Sequence, residues 1–106
     1  MRFLAVGAPT SRYTSEAAAG LMPAEMAVAR RLYDEQTVRE GYLDAAGRAV
    51  LLLDATDDVE VAAQLARYPM VAAGLVRFSV TALTGLPALA PLPPSTLREA
   101  WWPVEA

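Results

Sequence analysis

The chain has 106 residues and a net charge of −3 at neutral pH, an ordinary size for one domain and too short for two well-buried cores. Scattered arginines on an acidic chain form no basic stripe that could displace counterions from a phosphate backbone, which argues against nucleic acid as a partner. There is no His, Cys, Lys or Asn, so triads with a histidine base, thiol nucleophiles, disulfides, the usual zinc and haem ligands within one chain, Schiff bases and a Walker lysine are all removed.

The remaining reactive groups are carboxylates as acid or base, tyrosine and arginine as hydrogen-bond donors, and tryptophan for stacking. That set suits proton transfer beside a carbonyl, and no cofactor is expected. Apolar residues make up 55% of the chain, above the usual globular share, so part of that surface is expected to lie against a second copy of the chain or a small-molecule substrate. No apolar run approaches the roughly 20 residues that span a bilayer, and the first residues run into a strand-like pattern without a cleavage site. A cytoplasmic protein with no membrane partner is the default expectation.

In chain order, Arg2 to Gly7 is apolar and β-compatible and is followed by a Gly-Ala-Pro-Thr-Ser loop, predicting a first strand and a turn. Helix formers dominate from Ser15 to Gln36, but Gly20 and Pro23 interrupt them. Because proline is tolerated in a first turn, the firm helix is expected over Pro23 to Glu35, with a separate turn before it. Thr37 to Asp44 and Ala49 to Asp54 flank Ala45-Ala46-Gly47-Arg48, which predicts a hairpin. Thr56 to Glu60 opens a second helix, with Asp57 and Glu60 at capping-box spacing, and Val59, Ala62, Ala63 and Ala66 are its expected buried stripe. Leu75 to Leu83 alternates as a last strand.

The order β-α-β-β-α-β is that of an α+β, ferredoxin-like antiparallel sheet with two helices on one face. It accounts for residues 1 to 84. Residues 85 to 106 form a proline-rich tail, expected to pack on the domain or on a partner subunit, with a short helix over Thr96 to Trp102 and two adjacent tryptophans suited to docking.

On a helical wheel of about 100° per residue, Glu25 lies in the middle of the apolar side of the first helix. Leu21, Val28 and Leu32 fall on one flank, Met22, Ala29 and Tyr33 on the other, and Arg30, Arg31, Asp34 and Glu35 opposite. A carboxylate there must be hydrogen-bonded, paired or open to a cavity. Two readings stand side by side: a first-turn glutamate bonding free amides at its own helix N-terminus, and a general base facing a ligand cavity between helix and sheet.

The segment Arg31-Leu32-Tyr33-Asp34-Glu35-Gln36-Thr37-Val38-Arg39 resembles the helix-to-strand junction of muconolactone isomerases. Leu53 to Asp57 resembles that family's strand-to-helix turn, Ala66-Arg67-Tyr68-Pro69-Met70 its L-P-L segment, and Val76 to Pro87 its last strand and exit. The resemblance implies a dimeric α+β barrel, often assembled further into a decamer, that isomerises an unsaturated lactone without a cofactor. It puts Glu25 where the family carries a glutamate implicated in proton transfer. Around Met26 the chain departs from the family, having none of the basic residues expected there.

Tyr33, Tyr42, Arg39, Tyr13 and Trp101 are the candidate substrate contacts beside Glu25. Each also has a plain structural reading: packing for Tyr33 and Tyr42, a salt bridge to Asp54 or Glu40 for Arg39, a solvated loop for Tyr13 and Arg12, an interface or lid for Trp101 and Trp102. Arg39 and Tyr42 have opposite parity on one strand, so they share a face only if a bulge intervenes. The leading functional reading is a cofactor-independent isomerase or cyclase acting through Glu25 on a small unsaturated lactone or aromatic carbonyl compound. Its rivals are a cofactor-free oxygenase of aromatic polyketides and a non-catalytic binding or assembly domain.

Overall fold

The computed structural model describes residues 1 to 86. The expected tail helix over Thr96 to Trp102, and Trp101 with it, lie outside the described residues. Strand β1 (Arg2–Pro9), helix α1 (Ser15–Asp34), strands β2 (Val38–Leu43) and β3 (Ala49–Asp54), helix α2 (Asp58–Leu65), the single turn α3 (Pro69–Ala72) and strand β4 (Val76–Leu83) follow one another. The strands form one sheet in the order β2-β3-β1-β4, every neighbouring pair antiparallel. This is the ferredoxin-like α+β fold, with the helices on one face of the sheet.

Helix α1 corrects the sequence expectation. It runs unbroken through Pro23, and its N-cap is Thr14, whose hydroxyl accepts the Ala17 amide at 3.1 Å. Proline costs the helix one amide donor, to the carbonyl of Ala19. Both Ala19 and Pro23 are exposed, so water can satisfy that carbonyl. The helix ends in a Schellman arrangement: Gln36 sits in the left-handed region at φ 63°, the Gln36 amide donates to the carbonyl of Tyr33, and the Thr37 amide to that of Leu32.

The hairpin between β2 and β3 forms as expected, with Gly47 at φ 80° and Asp44 Oδ1 accepting the amides of Ala46 and Arg48 at 2.9 Å. Helix α2 is capped by Asp57, whose Oδ1 accepts the Glu60 amide at 2.9 Å. Its buried stripe is Val61 and Leu65, whereas Val59 is 78% exposed. The expected stripe of Val59 and alanines is therefore displaced, because the two largest apolar side chains one turn apart decide which face turns inward.

A β-bulge at Arg39 shifts the register between Val38 and Glu40. Val38 pairs with Leu53 and is buried on the helix side, whereas Glu40 and Tyr42 pair with Leu52 and Val50 on the other face. Tyr42 thus shares a face with Glu40 but not with Val38, contrary to simple alternation.

The core divides in two. One cluster joins Phe3, Leu53, Val38, Leu32 and Val61 beneath the C-terminal half of α1; the other joins Ala18, Met70 and Leu75 near its start. The face of the sheet away from the helices carries Leu4, Val6, Val50 and Leu52 as half-buried neighbours. Among the described residues, no helix packs there.

Candidate functional site

The gap between the two core clusters is occupied by Glu25. Along α1 the inward positions are Ala18, Leu21, Glu25, Val28 and Leu32, an alternation of three and four residues that keeps one stripe facing the sheet. Glu25 lies well past the first turn, so it bonds no amide of its own helix. Its Oε1 instead accepts the amide of Met70, in the first turn of α3, at 3.0 Å. Capping chemistry is present, but across the fold. Oε2 takes no hydrogen bond among the described residues.

Two cavities meet at this carboxylate and share Glu25, Met26, Leu43, Ala49 and Phe78. The inner lobe, of about 300 Å³, is lined further by Gly41, Leu51 and Tyr68 and opens to solvent past Met26 and Leu43. The outer lobe, of about 390 Å³, extends past Tyr13, Met22 and Arg48. These volumes suit a small molecule.

The sequence accounts for the space. On the helix side of the sheet, the rows nearest the hairpin carry Gly7, Gly41 and Ala49 between the larger Leu43, Leu51 and Phe78, so the small residues leave gaps in the layer that faces α1. A Cβ on Gly7 would come within 2.9 Å of the Phe78 ring, and one on Gly41 within 3.3 Å of Leu51 Cδ2. The absence of those side chains lets Phe78 lie across β1 and leaves the floor of the inner lobe open.

Burial pushes the Glu25 carboxyl above its ordinary value, an effect opposed by the Met70 amide. A carboxyl so raised is more basic than a solvated one and more easily reprotonated. The Arg67 guanidinium holds Glu35 through two bonds of 2.9 Å and fastens the segment before α3 to the C-terminal end of α1.

Of the other sequence-predicted contacts, Tyr13 lines the outer lobe. Tyr42 borders the inner lobe, but its register sets its side chain on the far face, where its hydroxyl donates to Glu40. Tyr33 and Arg39 come together elsewhere, in a separate recess of about 290 Å³ with Gln36. There Arg30 stacks on the Tyr33 ring at 5.8 Å, and Arg39 bonds Gln36 Oε1 at 3.1 Å and approaches Asp54 at 4.0 Å. Arg12 lies against Gly74. Trp101 falls outside the described residues.

Among the lining residues that the sequence does not single out is Tyr68, which enters there only in the L-P-L-like segment. It is 5% exposed, and its ring packs against Phe78 at 6.1 Å. The signal was there: in the L-P-L-like segment a tyrosine stands at the first leucine position and brings a hydroxyl where hydrocarbon is expected.

No family model matches the chain, and no curated protein does. Among solved structures it is similar to 5-chloro-2-hydroxyhydroquinone dehydrochlorinase from Burkholderia phenoliruptrix, determined in complex with 2,5-dihydroxybenzoquinone. The TM-score is 0.64 at 18% identity, over 81% of this chain and 96% of the other. At that identity the likeness speaks for the fold. No helix among the described residues is long and apolar enough to cross a membrane.

Proposed function

We propose that this chain is a cofactor-independent enzyme that moves a proton on a small unsaturated lactone or aromatic carbonyl compound, with Glu25 as general acid and base. The observation that carries the reading is a half-buried carboxylate in the wall of a small-molecule cavity, one oxygen anchored by a backbone amide and the other without a partner among the described residues. The anchored Oε1 fixes the orientation of the group, and Oε2 is the atom that exchanges a proton with substrate carbon. The likeness to a dehydrochlorinase crystallised with a dihydroxybenzoquinone supports a small cyclic oxygenated substrate.

The working unit in this reading is a homodimer. The half-buried apolar face formed by Leu4, Val6, Val50 and Leu52 would be covered by the same face of a second copy, as a two-fold interface requires. Sedimentation equilibrium at micromolar concentration is expected to give twice the chain mass; the mass of a single chain would remove this part.

The catalytic part is tested with α-angelica lactone in D2O. NMR is expected to show deuterium entering the ring and the double bond moving into conjugation, and Glu25→Gln is expected to abolish both while circular dichroism is unchanged. Failure of the wild-type chain to exchange protons on either this lactone or a hydroxyquinone would sink the proposal. Equal rates for wild type and Glu25→Gln would move the chemistry to another residue.

A further inference from the structure

We propose that Tyr68 is a second catalytic residue of the Glu25 cavity, donating a hydrogen bond to the substrate's carbonyl oxygen, and that the site takes an uncharged cyclic enone, lactone or quinone. The inference rests on the proton-transfer reading above and adds to it the electrophilic group and the substrate's charge class.

Tyr68 is held from several sides. Its amide donates to the carbonyl of Leu65, its own carbonyl accepts the amides of Val71 and Ala72, and the next residue is Pro69, which starts α3. Its ring stands against Phe78 in the wall of the inner lobe. The hydroxyl bonds to no described residue, yet no buried side-chain nitrogen or oxygen is left without a partner. The hydroxyl is therefore not sealed in the core, and Tyr68 lines the lobe that Glu25 also lines.

Burial, reinforced by the negative charge of Glu25, pushes the Tyr68 phenol up to about 12, so at neutral pH the group is protonated and a donor. The step balances without a further reactant. Glu25 Oε2 takes the proton from the carbon next to the carbonyl, and the C–H pair becomes a C=C bond. The carbonyl π pair moves onto oxygen, where the Tyr68 O–H holds the enolate. Glu25 then returns the same proton to a carbon further along the conjugated system, and the carbonyl is restored.

Charge sets the substrate class. Among the described residues, Glu25 is the only ionisable side chain besides tyrosines in the inner-lobe wall, and the arginine of the outer lobe, Arg48, is already held by Asp44 at 2.7 Å. A substrate carboxylate in the inner lobe would face the Glu25 carboxylate with no cation among the described lining residues to offset it.

The test compares Glu25→Gln with the double variant Glu25→Gln/Tyr68→Phe, using 4-nitrophenolate as the enolate mimic and toluene as a probe of cavity shape. Removing the Glu25 charge lets an anionic oxygen enter, and phenylalanine keeps the ring of Tyr68. The double variant is expected to bind 4-nitrophenolate about ten-fold to a hundred-fold more weakly, the range for a hydrogen bond to a charged group, while toluene binds both equally. Equal 4-nitrophenolate affinity in the two variants, or equal weakening of both probes, overturns the role of Tyr68 and leaves Glu25 untouched. Absence of binding of either probe to either variant overturns the cavity, and with it both this inference and the proton-transfer reading. The wild-type chain is expected to bind phenol and to reject benzoate; the reverse order overturns the substrate class.

Discussion

The two ends of the helix-covered face of the sheet are built on opposite rules. At one end Phe3, Leu53, Val38 and Leu32 meet under the C-terminal half of α1, and Phe3, Leu53 and Leu32 are at most 1% exposed. At the hairpin end the same strands carry Gly7, Gly41 and Ala49, and α1 presents Glu25 and Met26 to a space of several hundred Å³. The central strands β1 and β3 continue without a break from one end to the other, so their backbone pairing cannot account for the contrast. Side-chain volume does: large residues in facing positions make a solid layer, and small ones leave a void that a carboxylate and a phenol can share. The packed end holds the fold together, and the hollow end is free to carry chemistry.

The largest effect expected from that contrast is at the packed end. Phe3→Ala is expected to cost about 3–5 kcal/mol, through lost burial and the cavity left behind, seen as a fall in the urea midpoint. Truncation at the hollow end, as in Leu43→Ala, where the side chain is 75% exposed, should stay within about 0.5 kcal/mol. Similar losses at the two positions would break the comparison.

A smaller change in stability with a large change in binding is expected from filling the hollow end. Ala49 lines both lobes, and Ala49→Leu is expected to alter stability by less than about 1.5 kcal/mol while abolishing the binding of toluene measured by NMR titration. A variant that binds toluene as the wild-type chain does would show that the lobes are not the binding space.

The smallest effect is one of sign. Because burial raises the Glu25 carboxyl in the folded chain, the folded state holds that proton more tightly than the unfolded state. The resulting stabilisation is complete below the ordinary carboxylate range and is lost as pH rises through the raised value. Glu25→Gln keeps an oxygen for the Met70 amide and has no proton to lose. It is therefore expected to gain on the wild-type chain in urea-denaturation series from acid pH toward neutrality. A wild-type chain that instead gains on the variant over that range would mean that Glu25 is charged and stabilised in the fold. Turnover by the wild-type chain is expected to rise with pH through the same raised value, since the base must be unprotonated to accept.

Much of this was legible in the order of residues. Alternation and turn chemistry give the four strands and the hairpin, the spacing of Asp57 and Glu60 gives the start of α2, and the wheel of α1 already sets Glu25 among apolar neighbours. Local rules misled where a longer-range contact or solvent took over. Pro23 does not begin α1, which starts two turns earlier and runs through it, because the carbonyl it orphans is exposed to water. Val59 does not face inward, because Val61 and Leu65 turn α2 the other way. Tyr33, near Glu25 on the wheel, lies two turns further along at the C-terminal end of α1, and the Arg30 side chain stacks on it there.

The sequence by itself determined the ferredoxin-like order of elements and the presence of one acid on the apolar stripe of a helix, because both follow from periodicity and spacing along the chain. Only the tertiary structure decided what that acid meets. The Met70 amide that anchors it and the Tyr68 side chain that lines the same lobe come from a turn more than forty residues away. The void between them exists because glycines and an alanine on separate strands fall side by side. Such coincidences across strands are set by sheet register, and a one-residue shift, like the bulge at Arg39, would turn each of those positions to the other face.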